Sequence, residues 1–190
     1  MINMVFLFVY GRSANENYLY NGGVFMDFDF LEVNNKKQIE ELSEIAKLIW
    51  SEYFPKIITP EQIEYMVEKY QSADAIARQI SNDGYKYFMV FGNGEVLGYL
   101  AVKADRNQLL LSKLYLKKEF RGKGYFNEML SFAEKIAKEK GLNSLYLTVN
   151  KHNDNSIAVY LKKGFFIKKE QVTDIGNGFV MDDYVMEKMI

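Results

Sequence analysis

The sequence contains no cysteine and a single histidine, His152, among its 190 residues. The absence of cysteine excludes disulfides, thiolate metal sites and covalent mechanisms that use a cysteine nucleophile. It is compatible with a cytoplasmic protein, because disulfides belong to oxidising compartments. A single histidine also excludes a histidine-rich metal centre, so we expect no metal cofactor.

The sequence also lacks a strong excess of either charge and a long apolar run. Its formal net charge is −1, and no basic run is long enough to follow a nucleic-acid backbone. The apolar run MVFLFVY spans seven residues, far fewer than a membrane span needs. It has neither the basic segment nor the cleavage site of a secretory signal. We therefore expect no nucleic-acid partner and no membrane partner.

The composition is that of a globular protein, with 48% apolar and 15% aromatic residues, and the length suits one domain. We assign that domain to residues 26–190. The polar segment GRSANENYLYNGG within residues 1–25 reads as a linker. The following GGVFM, which ends at Met26, is compatible with a ribosome-binding stretch before an ATG codon. We hypothesise that Met26 is the true start and that residues 1–25 are not native.

Hydrophobic periodicity predicts an α/β fold in the order β-α-α-α-β-β-β-α-β-α-β-β. The first strand is DFDFLEV, and amphipathic helices follow, one of them with Thr59 as N-cap and Pro60 at its first position. Two β-rich runs then meet at Asn93 and Gly94, the residues favoured in a tight hairpin. A nearly continuous apolar run, NQLLLSKLYLKK, predicts a buried strand. Two strand–helix units and two final strands complete a mixed sheet.

A glycine-containing loop, EFRGKGYF, lies between that buried strand and a long helix. Amide groups at the start of a helix bind phosphate well. A Walker loop does not fit, because Ser or Thr does not follow Lys123. A Rossmann loop does not fit either, because Asn127 stands where its third glycine belongs. A plain turn before a helix remains the alternative to a phosphate site.

The segment LYLKKEFRGKG resembles the acetyl-CoA motif of the GCN5-related N-acetyltransferase (GNAT) superfamily, a strand followed by Arg/Gln-x-x-Gly-x-Gly/Ala. About thirty residues later, LTVNKHNDNSIAVYLKKGF resembles the second motif of that family, with its Asn, helical Tyr and Gly-Phe. The resemblance covers residues 27–189, and it is loosely nearest to bacterial spermidine/spermine acetyltransferases. It implies the GNAT fold, a mixed and mostly antiparallel sheet flanked by helices.

One position departs from the motif. Phe126 stands where the family usually has Gly or Ala, a small residue that lets the backbone approach the pyrophosphate. Phe126 shares a helix face with Leu130 and Ala133, so we expect its ring to turn into the core. Replacement of Phe126 by Gly should then tighten acetyl-CoA binding or leave it unchanged.

The resemblance assigns acetyl-CoA as co-substrate and places its contacts residue by residue. The pyrophosphate would lie on the amides of the loop, and the pantetheine arm would pair with the strand before it. Asn153 matches the asparagine that contacts this arm, although NDNS is also a cluster of good helix N-caps. The residues assigned to acetyl-CoA are Leu114, Tyr115, Leu116, Arg121, Gly122, Lys123, Gly124, Tyr125, Phe126, Asn153 and Asn155.

The resemblance also gives Tyr160 a catalytic role, as the tyrosine that protonates the leaving thiolate. A phenol with a pKa of about 10 can donate that proton while staying protonated at neutral pH. An ordinary core tyrosine is the alternative interpretation.

The sequence does not identify the general base that would deprotonate the amine. The strand before the loop has no acid, Glu119 is expected in solvent, and His152 reads as a surface-loop histidine. Asp182 and Asp183 on the last strand either attract a polycation or are plain edge-strand charges. Deprotonation through water is an equal alternative.

The sequence thus predicts an acetyl-CoA-dependent N-acetyltransferase that transfers acetyl directly to a primary amine, first of all a polyamine. The acceptor side would include the aromatic first half, with Trp50, Tyr53, Phe54 and Tyr65. A protein N-terminal or lysine acetyltransferase is one alternative, and a non-catalytic acetyl-CoA sensor is another. A homodimer is compatible with the family.

Overall fold

The structure, a computed structural model, describes residues 17–21 and 24–190. Within these ranges lie eight strands and five α-helices, with short 3₁₀ turns before α2 and α4. In chain order they are β1 Asn17–Asn21, β2 Val24–Glu32, α1 Lys36–Tyr53, α2 Pro60–Gln71, α3 Ala73–Ser81, β3 Tyr85–Gly92, β4 Glu95–Asp105, β5 Gln108–Leu116, α4 Tyr125–Glu139, β6 Ser144–Asn150, α5 Asp154–Lys162, β7 Phe166–Gly176 and β8 Phe179–Met189.

The first three helices begin at side-chain caps. Asn35, Thr59 and Ser72 each accept a hydrogen bond from the backbone N–H three residues ahead, at 3.0, 3.3 and 3.3 Å. Each such cap satisfies one of the amides that a helix start leaves without a partner. The amphipathic helices predicted after the first strand are confirmed as α1, α2 and α3, and α2 begins at Pro60 after the predicted cap Thr59. Among the described residues, no helix combines the length and apolar character needed to cross a membrane.

The predicted hairpin joins β3 and β4 at Asn93 and Gly94. Both residues have positive φ angles, 51° and 78°, as the tight turn between twisted antiparallel strands requires. The hairpin places Tyr87 and Met89 on one face of the sheet and Phe88 and Val90 on the other, all of them buried.

The described strands form one sheet in the order β1-β2-β3-β4-β5-β6-β8-β7. Neighbouring strands are antiparallel except β5 and β6, which are parallel. Helix α4 packs one core against one face of the sheet, with Met129 and Ala133 fully buried. Helices α1 and α3 pack a second core against the other face, around Leu42 and Ile76. This mixed, mostly antiparallel sheet with flanking helices is the predicted fold.

The parallel pair β5–β6 separates soon after it begins. Only residues 108–110 of β5 pair with residues 144–146 of β6. Strand β5 stays paired with β4 along its length, with a bulge at Ser112, which is skipped between the Val102–Leu111 and Ala101–Lys113 pairs. The divergence leaves an opening between two neighbouring strands in the middle of the sheet.

The N-terminal segment differs from the predicted linker where it is described. Asn17–Asn21 form β1 and pair in an antiparallel register with residues 24–28 of β2. Backbone pairing with β2 therefore overrides the polar composition of this short run. Residues 1–16, 22 and 23 lie outside the described residues, so the hypothesis of a start at Met26 stays a prediction.

Candidate active site

A cavity of about 630 Å³ occupies the opening between β5 and β6. Its walls come from both diverging strands, the glycine loop, the start of α5, the ends of α1 and α2, and β8. The predicted residues found in its lining are Leu114, Tyr115, Leu116, Arg121, Gly122, Gly124, Phe126, Asn153, Asn155 and Tyr160. A larger, open depression of about 990 Å³ is lined mainly by α1 and α2 and contains none of these residues.

The glycine loop turns into α4 through two left-handed residues. Gly122 and Gly124 have φ angles of 72° and 91°, a region that glycine enters without the strain other residues meet. A Cβ atom at either position would meet no heavy atom within 4 Å. Backbone conformation, rather than crowding, therefore requires glycine here. As N-cap of α4, Gly124 offers no side-chain oxygen to the amides of the first turn, and such a helix start suits an anion.

Arg121 ties the loop to β5 and to α1. Its Nε donates to the carbonyl oxygen of Leu116 at 3.0 Å, and its Nη2 lies 2.7 Å from Glu52 Oε2. The guanidinium also lies over the ring of Tyr53, 4.9 Å from the ring centroid. The side chain of Arg121 thus holds the loop in place between two elements of the cavity wall.

Tyr160 projects from α5 into the same cavity between two aromatic rings. The centroid of its ring lies 5.6 Å from that of Phe126 and 5.3 Å from that of Phe165, both in edge-to-face geometry. Phe126 is half-buried and packs against the core on the α4 face, as expected. Burial, and then the neighbouring Tyr53, raise the pKa of the Tyr160 phenol above its ordinary value. The phenol is therefore a proton donor throughout the neutral range.

Asn153 caps α5 and also contacts α1. Its Oδ1 accepts from the Ser156 N–H at 3.3 Å and from the Tyr53 hydroxyl at 2.8 Å. The N-cap interpretation is thus confirmed, and the residue lines the cavity as well. Ser156 Oγ lies 3.1 Å from the same Tyr53 oxygen, so Tyr53 joins α1 to the start of α5.

Two residues assigned to acetyl-CoA have side chains outside the cavity lining. Lys123 is exposed, with its Nζ 5.7 Å from the centre of the Phe120 ring. Tyr125 is 7% exposed and belongs to the core, where its ring stacks on Phe28 at 6.1 Å. Their side chains do not reach the site, so any contact with a phosphate would come from their backbone amides.

The acids and the histidine considered as bases occupy very different positions. Glu119 and His152 are exposed and do not line the cavity. Asp182 lies 2.6 Å from Lys151 Nζ in an ion pair. Asp183, by contrast, is 6% exposed and lines the cavity. Burial, and then the charge of Asp182, raise the pKa of Asp183 to about 6, and Lys151 partly offsets this rise.

Sequence reasoning did not single out Gln71 or give Tyr53 a specific contact. Gln71 is 1% exposed, lines the cavity and accepts a hydrogen bond from the Tyr99 hydroxyl at 3.3 Å. Both residues are unremarkable members of amphipathic helices in the sequence, and only the packing of α1 and α2 brings them to the cavity. No group of three or more His, Cys, Asp or Glu side chains within the described residues is placed to hold a metal ion.

A comparison with protein families matches residues 42–165 to the acetyltransferase (GNAT) family. The spermidine N(1)-acetyltransferase of Thermoplasma acidophilum is 32% identical over 150 residues, which are 77% of this chain and 91% of that protein. An uncharacterised N-acetyltransferase of Lactobacillus delbrueckii subsp. lactis is 26% identical over 164 residues, covering 82% of this chain and 94% of the relative.

Solved structures share the fold. The PaiA N-acetyltransferase of Thermoplasma acidophilum, solved in complex with coenzyme A, superposes with a TM-score of 0.70 at 27% identity and covers 87% of this chain and 99% of its own. A GCN5-related N-acetyltransferase of Rhodopseudomonas palustris gives a TM-score of 0.71 at 16% identity, covering 86% and 94%. The second likeness concerns the fold alone.

Proposed function

This chain belongs to the GNAT family of acetyltransferases, and from that premise we propose that it transfers the acetyl group of acetyl-CoA directly to a primary amine of a polyamine. Family membership makes the protein an acetyl-CoA-dependent acyltransferase. The polyamine acceptor is the finer part of the proposal. The observation that carries it is the 32% identity with a spermidine acetyltransferase across most of both chains.

On the donor side, we assign the coenzyme to the half of the cavity between the glycine loop and the diverging strands. The backbone of the loop and of the first turn of α4 would receive the pyrophosphate. The free edge of β5 at Leu114–Leu116 faces the opening toward β6, and it would pair with the pantetheine arm. Asn153 and Asn155 lie along the same wall.

Acetyl-CoA supplies an activated thioester. Tyr160 would give its phenolic proton to the sulfur as the carbon–sulfur bond breaks. The raised pKa of Tyr160 keeps that proton in place at neutral pH, and the rings of Phe126 and Phe165 fix the direction of the phenol. Because the chain has no cysteine, transfer would occur in one complex of both substrates, without a cysteinyl intermediate.

On the acceptor side, the cavity is bounded by aromatic residues at the end of α1. Trp50 stacks on Phe54 at 4.3 Å, and the Tyr115 ring lies 5.9 Å from Trp50 and 6.0 Å from Phe54. Aromatic faces favour alkyl chains and attract ammonium groups. These properties support a slender aliphatic amine as acceptor.

The test is an assay of free thiol with acetyl-CoA and a panel of amines, from spermidine to lysine peptides. The protein contributes no thiol of its own, so each thiol detected is released coenzyme A. We expect release that depends on spermidine and falls at least about 100-fold in Tyr160→Phe. Tyr146→Phe is the matched control, since the Tyr146 hydroxyl bonds Asp105 away from the cavity.

The outcomes separate the candidate functions. Release with lysine peptides but not with spermidine would move the acceptor to proteins. Tight binding of acetyl-CoA without release on any amine would favour the sensor. Equal activity of Tyr160→Phe and the wild type would remove Tyr160 from the mechanism.

A further inference from the structure

Asp183 lies on an interior strand of the sheet, where bulk water does not solvate its carboxylate. Its strand β8 runs between β6 and β7, so the interpretation of this acid as an edge-strand charge is wrong. Asp183 pairs with Asn150 of β6, and both residues line the catalytic cavity. Its side chain is nine-tenths buried.

One carboxylate oxygen of Asp183 has no hydrogen-bond partner among the described residues. Oδ1 is buried and accepts no hydrogen bond within the described part of the chain. Buried polar atoms in folded proteins are almost always hydrogen-bonded, and an exception calls for an explanation. The neighbouring Asp182 pairs with Lys151 instead and does not line the cavity. A donor group on a bound molecule would satisfy Asp183.

Within the described residues, Asp183 is the one acid in the cavity lining, which also includes three basic residues. Arg121 is already paired with Glu52. Lys113 donates to Ser112 Oγ at 2.8 Å, and burial lowers its pKa to about 8. Lys163 is the C-cap that follows α5 and lines the cavity as well. The acceptor side therefore has a single strong site of negative charge, suited to one ammonium group.

Resting on the function proposed above, we propose that Asp183 binds the ammonium group of the acceptor amine and takes the proton that this group loses before it attacks the acetyl carbon. Among the described residues that line the cavity, no other offers a carboxylate for that proton. The acceptor chain would then lie along the aromatic wall formed by Trp50, Phe54 and Tyr115.

Two protons leave the ammonium group during the transfer, one to Asp183 and one to Tyr160. The ammonium nitrogen keeps the electron pair of its broken N–H bond, and Asp183 becomes a carboxylic acid. Nitrogen then bonds the acetyl carbon, the carbon–sulfur bond breaks, and sulfur receives the Tyr160 proton. The second proton that leaves nitrogen restores Tyr160, and Asp183 returns its proton to solvent. The sum is one amide, one thiol and one released proton.

The charge state of Asp183 suits this role. With a pKa raised to about 6, the carboxyl group is ionised at neutral pH and becomes neutral as the pH falls below about 6. The charged groups that act on its pKa are Asp182 on its own strand and Lys151 from the turn after β6. The neutral Tyr115 phenol of β5 also faces it, and the charge of Asp183 helps to raise the pKa of that phenol. Activity should therefore decline on the acid side near pH 6.

The test compares Asp183→Asn with Asp182→Asn, a neighbour on the same strand outside the cavity lining. Binding of spermidine to the protein saturated with coenzyme A is measured by calorimetry, which requires no turnover. We expect Asp183→Asn to bind spermidine at least about tenfold more weakly, with acetyl-CoA affinity unchanged. The control should stay within about threefold of wild type, because Asp182 lies outside the cavity lining and Lys151 keeps its second partner, Glu170.

Kinetics test the proton transfer. We expect kcat/KM of Asp183→Asn to fall at least about 100-fold and its acid limb to disappear. Asp182→Asn should keep an acid limb, shifted below pH 6, because the charge that helps to raise the pKa of Asp183 is gone. Unchanged spermidine binding by Asp183→Asn would overturn the proposal, whatever the enzyme's activity. Spermidine binding that needs Asp183, in a wild type that acetylates no amine, would refute the proposed function and still support the ammonium site.

Discussion

The hydroxyl of Tyr53 donates a 2.8 Å hydrogen bond to Asn153 Oδ1. One residue ends the first helix and the other caps the last, a hundred positions along the chain. The ring of Tyr53 also supports the Arg121 guanidinium. This one side chain therefore connects the wall of the acceptor side with the loop and the cap that we assign to acetyl-CoA.

Tyr53→Phe should weaken acetyl-CoA binding by about threefold to tenfold, because a hydrogen bond of this kind contributes about 1 kcal/mol. The Arg121 contact with the ring would persist. Calorimetric titration with acetyl-CoA measures the effect. Tyr65→Phe is the control, since it removes the 2.6 Å hydrogen bond to Ile175 O outside this cavity. Tyr65→Phe should reduce stability and leave the affinity for acetyl-CoA unchanged. An equal loss of affinity in both variants would mean that the Tyr53–Asn153 hydrogen bond has no specific effect on acetyl-CoA binding.

Gly124→Ala should destabilise the fold by about 1 kcal/mol, because a side chain at φ 91° is strained. Gly84→Ala introduces similar strain at φ 75°, also in open space and away from the loop. Denaturant unfolding should show comparable losses. Acetyl-CoA affinity should fall about tenfold in Gly124→Ala alone. Full affinity in that variant would mean that the loop is only a turn before a helix.

Phe126→Ala should lower kcat while acetyl-CoA affinity stays within about threefold. The ring supports Tyr160 from the side, and an edge-to-face pair contributes about 0.5–1.5 kcal/mol. The loss of stability should stay below the roughly 3–5 kcal/mol typical of a fully buried Phe, since Phe126 is half-buried. Phe126→Leu, which keeps most of the volume, should lose less kcat. A large drop in affinity instead would place the ring against the coenzyme.

Asp183→Asn should stabilise the folded protein at pH 8. The folded-state pKa of about 6 exceeds the ordinary aspartate value of 3.8, so the unfolded state loses its proton first as the pH rises. The stability that the protonated carboxyl provides is complete below pH 4 and disappears as the pH passes 6. The loss reaches up to about 3 kcal/mol. Urea unfolding of the variant and the wild type at pH 4 and pH 8 measures this loss. The prediction would be contradicted if the two proteins differed in free energy of unfolding by the same amount at both pH values.

Local sequence signals determined most of the elements. The cap Thr59 and the Asn93–Gly94 turn act within a few residues, so they could be predicted without the fold. The glycine loop was identifiable for the same reason, because positive φ angles at Gly122 and Gly124 depend on the local chain path. The pairing of Asn17–Asn21 with β2 was missed, since short polar strands carry little signal of their own.

The sequence by itself determined the family and its two motifs, and it excluded every mechanism that needs a cysteine. These conclusions depend only on residue types and their spacing. Only the tertiary structure decided which acid faces the cavity. Asp182 and Asp183 are adjacent in the sequence, but neighbouring residues of a strand point to opposite faces of a sheet. One therefore pairs with Lys151, and the other lies buried in the cavity where β5 and β6 diverge.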